Sequence, residues 1–566
     1  MPRYASRIWR AEALRAVDPA TIDATGYVFM IELVERAHRL GARIAQVPLT
    51  KSGHSCYNSA WHNSTYSDWT LAVVTLPTIT RPSLLFDREA EWDDLTRFVS
   101  GPVTSARLGL VYGRRRQGKS FMLDHLAAAS GGFYHQAIEE ENTPALDHFA
   151  GAIATFAGLP RWAGGRFDDW GGALRALAEQ ASGRPLVIDE FPYLLRKSPE
   201  LPSTIQAAFD GARSGRHPAF QLILCGSALS VMTKILTGQQ ALRGRAMLDM
   251  PVRAFDFRES RAFWKIHDLE AAFLVSAVLG GPPGYRDLLA GAAPAGAAEF
   301  PDWLADGALN PSHALFREAE YLLSEDPALV DRALYRSIIA AIAAGQSTRR
   351  GVGSAIARPD TALDHPLDQL DRAQFIVRDH DLLRSNRPLL RVADPLLRFH
   401  FAVLRPDIAR FEARRTREAW ADAEPRFKAQ VLGPHFESLA RTWTERYASA
   451  RTLGGRPRRV GFVQVNDPDA KEQFEIDVVV EGQGEKVAGK PRLIAIGEAK
   501  ANETPRTIAD LARLERLRGL LANRADVGRT KLLLFGRAGF EAEVTEAANK
   551  RADIEIVDLA RLYEGN

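Results

Sequence analysis

Two sets of residues in this chain have the types and spacing for phosphate chemistry. The first opens at Gly113-Arg114-Arg115-Arg116-Gln117-Gly118-Lys119-Ser120, the pattern of a loop that wraps a polyphosphate. Its two glycines let the backbone close around phosphates, Lys119 reaches the β and γ oxygens, and Ser120 can ligate Mg²⁺. Further along, an apolar run from Pro185 ends in Asp189 and Glu190. Asp189 would hold Mg²⁺ through water, and Glu190 would polarise the attacking water. The cofactors expected are ATP and Mg²⁺. The second set is Glu437, Asp477, Glu498 and Lys500. Two carboxylates and an ammonium, with Asp477 and Glu498 as metal ligands, are a minimum for activating water against a phosphodiester.

The elements that must position the first set are legible nearby. Leu108 to Tyr112 is a short apolar strand, and a helical pattern starts at Phe121, so strand, loop and helix follow in the order a phosphate cradle needs. A third apolar strand, Gln221 to Gly226, ends at Ser227. That hydroxyl either senses the γ-phosphate or caps the next helix. Arg243, Arg245 and Arg253 follow. Arg245 is the candidate arginine finger, in cis or in trans, with solvated surface arginines as the alternative.

For the second set, Phe436, Leu439, Ala440, Trp443 and Tyr447 recur at helical spacing and place Glu437 beside a buried stripe. Phe474 to Val480 alternates as a strand, and Leu493 to Lys500 forms another on which Glu498 and Lys500 share one face. A helix through Leu511, Leu514, Leu517 and Leu521 and a strand from Lys531 to Phe535 complete an α-β-β-α-β order. Arg456, Arg458 and Arg459 read as phosphate contacts or as turn residues.

Several motifs carry a family resemblance. Phe86-Asp87-Arg88-Glu89, the phosphate loop, Leu186 to Glu190, Cys225-Gly226-Ser227, Gly244-Arg245, Gly280 to Tyr285 and Asp394 to Phe399 resemble the archaeal-type ATPases of the STAND and AAA-like group. That family usually has Gly where Asp87 stands. The resemblance implies an α/β chain: a P-loop NTPase core with a helical lid, a winged helix and a C-terminal α/β domain. The last domain resembles the restriction-endonuclease-like PD-(D/E)XK superfamily, with its helix glutamate at Glu437, its strand acid at Asp477 and its E-x-K at Glu498-Ala499-Lys500.

The expected organisation is an extension and linker over 1–80, the ATPase core over 81–254, the lid over 255–325, the winged helix over 326–400, a helical connector over 401–430 and the nuclease-like domain over 431–566. Within the winged helix the pattern gives a helix (Leu334 to Ile342), a polar break, a second helix (Leu367, Leu370) and a hairpin (Phe375 to Arg378, Leu389 to Val392). The resemblance implies a DNA contact there; protein docking is the alternative. Arg410, Arg414, Arg415 and Arg417 are interleaved with Glu412 and Glu418 and read as a solvated helical face.

Asp18 to Thr21 and Gly26 to Leu33 resemble the tail of family-two glycosyltransferases of the polyprenol-phosphate mannose type, without their catalytic part. A fusion remnant or a misplaced start is the expectation. His54, Cys56 and His62 lack a fourth ligand for zinc.

A chain of 566 residues is too long for one core, and a formal charge of +3 puts any nucleic-acid surface down to local patches. Cys56 and Cys225 are the only cysteines, which fits a reducing, cytoplasmic setting, and no run reaches the roughly 18–20 apolar residues that span a bilayer. The function expected is an ATP-driven switch or motor whose nuclease-like domain acts on DNA, with homo-oligomerisation as a further expectation. The alternative is a signalling ATPase whose last domain only binds DNA or protein.

Overall fold

The computed structural model describes residues 79–101, 103–237, 240–327, 329–468, 471–484 and 489–566, together with the strands β1 (Arg43–Pro48) and β2 (Thr70–Thr75), which pair antiparallel. Apart from β1, the glycosyltransferase-like segment lies outside the described residues, as do His54, Cys56 and His62. The chain forms two compact units, one of residues 1–114 with 118–253, the other of 115–117 with 254–566.

The first unit is built on β3 (Arg107–Tyr112), β4 (Phe133–Gln136), β5 (Pro185–Asp189), β6 (Gln221–Gly226) and β7 (Ala246–Pro251). They form one sheet in the order β4-β5-β6-β3-β7, with every neighbouring pair parallel. Parallel strands need helical crossovers, which cover both faces and explain the continuous apolar runs of β5 and β6. The side-chain period of two sorts these runs between layers. Val111, Val187 and Ile223 join the helices Glu89–Val99 and Lys119–Ser130, whereas Leu110, Leu186, Ile188, Leu222 and Leu224 join Phe149, Leu177 and Ile205 on the other face. Asp87, at the position where the resembling family has Gly, adopts a φ of 44°, a left-handed conformation that Asp tolerates better than most residues.

In the second unit the helix Leu269–Leu279 is buried from Ala271 onward, and Gly281 follows because a Cβ there would lie 1.8 Å from the Phe255 carbonyl oxygen. Helices Arg332–Ala343, Arg349–Ala355 and Asp364–Arg372 then lead into an antiparallel hairpin, β8 (Ile376–Asp381) and β9 (Arg384–Val392). The polar break expected between two helices is itself a helix. Its polar residues hide no apolar periodicity, but the Thr348 side chain accepts from Gly351 N at 3.0 Å and caps it. Asp394 caps the helix Pro395–Phe399 in the same way, through Leu397 N.

The C-terminal sheet runs β10 (Pro457–Asp467), β11 (Glu472–Gly482), β12 (Leu493–Lys500), β13 (Lys531–Gly536) and β14 (Ile554–Val557) in that order, antiparallel up to β12 and parallel beyond. Arg458 and Arg459 lie on β10, where both pair with Glu481, so the turn reading of these two is corrected. A single apolar cluster extends from Phe257 to Tyr563 and joins the helices that follow residue 254, the hairpin module and the sheet. Among the described residues no helix is long and apolar enough to cross a membrane.

Candidate functional site

In the first unit, register puts Tyr112 level with Gly226 and Pro251, and Gln136 level with Asp189. Gly113, Asp189, Glu190 and Ser227 therefore gather at the carboxyl edge of the sheet, where open α/β sheets bind ligands. The helix Lys119–Ser130 starts there with Gly118 at a φ of 89°, no side-chain cap and no acid in its first turn. Its leading N–H groups are left for an anion. Lys119 is buried, and its Nζ donates to the Arg114 carbonyl at 3.0 Å. Arg116, with a φ of 65°, belongs to the second unit, where its guanidinium makes a bidentate pair with the buried Glu318 at 2.6 and 2.9 Å.

The two acids at this edge are held by groups without charge. Asp189 is fully buried; its Oδ2 accepts from the Tyr134 hydroxyl at 2.7 Å and its Oδ1 from Glu190 N at 2.8 Å. Burial and the Asp189 charge push the Tyr134 phenol far above its ordinary range, so it remains a donor. Glu190 leaves the strand with a φ of 51°, at a cost of about 1–2 kcal/mol, and accepts from the Ser227 hydroxyl at 2.9 and 3.2 Å. Ser227 thus engages the acid expected to handle water. Arg245 is not brought to this edge. It precedes β7, whose first residue is level with Leu108 at the far end of the sheet, and it binds the Ala241 carbonyl and Asp210. Arg253 follows β7 at the phosphate edge; its carbonyl accepts from Arg88. Strand direction, rather than spacing along the chain, separates the two.

The second unit contains a cavity of about 850 Å³ lined by Glu437, Glu475, Asp477, Glu498 and Lys500. The helix Gly433–Arg446 presents Glu437, while β11 presents Glu475 and Asp477 on one face. These three carboxylates can bring oxygens within 4.8 Å of one another. Asp477 accepts from Ala499 N at 2.8 Å, and burial, reinforced by the Glu437 charge, pushes its carboxyl up to about 8. Glu498 pairs with Lys500 at 3.1 Å, with Arg513 at 3.5 Å and, through Oε2, with the buried Arg506 at 3.8 Å, an oxygen that accepts no hydrogen bond. Hard carboxylate oxygens converging on a wet cavity suit Mg²⁺ or Mn²⁺. The sequence reading missed Glu475, although its place two residues before Asp477 on an alternating strand puts both on one face. It also missed Arg391 of β9, which pairs with Glu437 at 3.0 Å, with Glu475 and, at 2.8 Å, with Asp379.

The hairpin that carries Arg391 is committed to this sheet. Leu382 N donates to the Phe462 carbonyl at 3.1 Å, and Asp381 accepts from Gln464 N at 2.9 Å. The helix before it carries Asp364, Asp368 and Asp371, and Asp368 pairs with Arg378. Arg410 and Arg415 pair with Asp422 and Glu418, which makes them a charged face.

No family model matches the chain. Over 382 residues it is 22% identical to the uncharacterized protein MJECL04 of Methanocaldococcus jannaschii, covering 64% of this chain and 81% of that one. A segment of 44 residues is 46% identical to the undecaprenyl-phosphate mannosyltransferase of Micrococcus luteus, covering 8% of this chain and 18% of the enzyme. Among solved structures, the chain is similar to the Walker-type ATPase PABY2304 of Pyrococcus abyssi, with 20% identity, a TM-score of 0.42 and coverage of 57% of this chain and 97% of that one. The chain is a mixed α/β protein whose parallel sheet carries the phosphate loop.

Proposed function

We propose that this protein binds Mg·ATP on the loop Gly113 to Ser120 and hydrolyses it, and that its C-terminal domain is a metal-dependent nuclease of the restriction-endonuclease-like kind acting on DNA. The observation that carries the ATPase reading is the gathering of Lys119, Asp189, Glu190 and Ser227 at one sheet edge, with both acids oriented by neutral donors. When bound, Mg²⁺ offsets the γ-phosphate charge. Lys119 would bind the β and γ phosphates, Asp189 would hold the metal through water, and Glu190 would accept the proton of the attacking water. Ser227 fixes the Glu190 carboxylate in line.

The nuclease reading is supported by the cavity that joins Glu437, Asp477, Glu498 and Lys500. Asp477 and Glu498 would hold the metal, with Glu437 and Glu475, whose carboxylate oxygens converge with that of Asp477, completing its shell, and Lys500 would steady the scissile phosphate. DNA belongs to this cavity. Helices 332–343, 349–355 and 364–372 with the β8/β9 hairpin are read as a winged helix used for docking, because its hairpin is spent on the sheet of the last domain.

The test is cleavage of mixed single- and double-stranded DNA with Mg²⁺ or Mn²⁺, with and without ATP, in the unmodified protein and in Asp477→Ala. Cleavage lost in the variant is the expected result. No cleavage under any condition would leave an ATP-driven switch whose last domain only binds.

A further inference from the structure

Among the described residues, Arg391 is the basic side chain of the hairpin that pairs with Glu437 and Glu475. Its guanidinium pairs with Glu437 of the helix Gly433–Arg446 and with Glu475 of β11, two of the three carboxylates that can converge on a metal. Its Nε lies 2.8 Å from a carboxylate oxygen of Asp379 on β8, its own hairpin partner strand, an ion-pair contact in which the N–H is not aligned for a hydrogen bond. Arg441 stands on the other side, donating to the Asp477 carbonyl at 2.9 Å and lying 4.0 Å from Glu437. The buried Arg398 is close enough to add charge.

We propose that Arg391 is the cation resident on the Glu437–Glu475 pair at the edge of this cavity, whose own basic lining is Lys428, Lys500, Arg513 and Arg537, and that a divalent metal takes those two carboxylates only by displacing the Arg391 guanidinium. Both cations need the same oxygens, and two like charges on one pair of carboxylates repel strongly in a half-buried site. Displacement does not strand the arginine, because Asp379 travels on the same hairpin and keeps the guanidinium paired. Metal loading and the bridge from hairpin to cavity are therefore alternatives. The cavity is compensated when empty, and the hairpin is released from its acids when it is filled.

This inference rests on the metal reading of the cavity. The experiment is Mn²⁺ binding to the full chain without nucleotide, counted as the component that Asp477→Ala removes, in the unmodified protein, Arg391→Met and Arg391→Lys. The competition predicts Mn²⁺ affinity about tenfold or more tighter in Arg391→Met, with Arg391→Lys in between, and a larger rise in Tm on adding Mn²⁺ to Arg391→Met than to the unmodified chain. An arginine that merely held the ligands in place would give the opposite sign. Where Arg391→Met does not fold, Arg391→Lys carries the same prediction. Mn²⁺ binding that depends on Asp477 but is no tighter in either variant overturns the role of Arg391 alone. No such binding in any variant overturns the metal reading with it.

Discussion

The two acidic sites solve the same problem with different partners. Asp189 and Glu190 are oriented by a phenol, a hydroxyl and a backbone N–H, and among the described residues no basic side chain forms an ion pair with either. Glu437, Glu475 and Glu498 are oriented by arginines and a lysine. A neutral donor fixes a carboxylate and leaves its charge for a cation, whereas a guanidinium fixes it and cancels the charge. On the proposed reading the first site keeps its charge for a metal, and the second exchanges one cation for another.

The largest effects should come from removing charge at the first site. Lys119→Ala is expected to abolish nucleotide binding, and Glu190→Gln to keep binding while lowering turnover by about 10²–10⁴-fold, the usual worth of a general base. Equilibrium binding of ATP beside steady-state turnover checks both, and a Glu190→Gln protein turning over at the unmodified rate would break the comparison. Tyr134→Phe sharpens it. Losing one buried donor to Asp189 should cost about tenfold in turnover and raise the Mg²⁺ needed for half-maximal rate, with ATP binding little changed. A variant indistinguishable in its Mg²⁺ titration would make Tyr134 a packing residue only.

A smaller, global effect separates the units by pH. Burial lowers His135 in the first unit to about 4, and in the second lowers His400 to about 4 and His435 to about 3. Each is neutral when folded but protonates near 6.5 when unfolded, so the unfolded chain binds more protons below that value. Stability contributed by each is complete above 6.5 and falls as pH drops toward its folded value, by about 1.4 kcal/mol per pH unit. Asp477 acts in the opposite direction, being raised. In urea titrations between pH 6.5 and 4, His435→Gln should show a shallower loss than the unmodified chain. An unchanged slope would mean that His435 does not titrate with unfolding.

The phosphate loop and the strand ending at Asp189 were legible because their information is local: glycines, a lysine and an apolar run within a few residues. The helix of Glu437 and the strands of Asp477 and Glu498 were legible from period alone. Spacing along the chain is blind to which end of a parallel strand faces the ligand, so it could not tell that Arg245 precedes β7 at the end away from its own phosphate loop, which bears on a finger in cis and not on one in trans. Tyr134 and Arg391 were hidden because each meets its acid only through strand pairing or module docking. β10 was missed where Arg456, Arg458 and Arg459 masked the alternation with charge. Glu475 had a signal, its two-residue offset from Asp477, that an acid flanked by Phe474 and Ile476 did not announce.

The tip of the hairpin lies against Gly461, where a Cβ would come within 3.0 Å of Leu382 Cγ. A side chain at 461 would make Leu382 give by a few tenths of an ångström, at the place where Leu382 N and Asp381 also bind the Phe462 carbonyl and Gln464 N. The C-terminal sheet is consequently not a cassette that recombination can move by itself: grafted onto another chain without the hairpin, it would bring Glu437 and Glu475 without Arg391 and a bare glycine notch. Viable exchanges of this domain between proteins must cut the gene upstream of the hairpin.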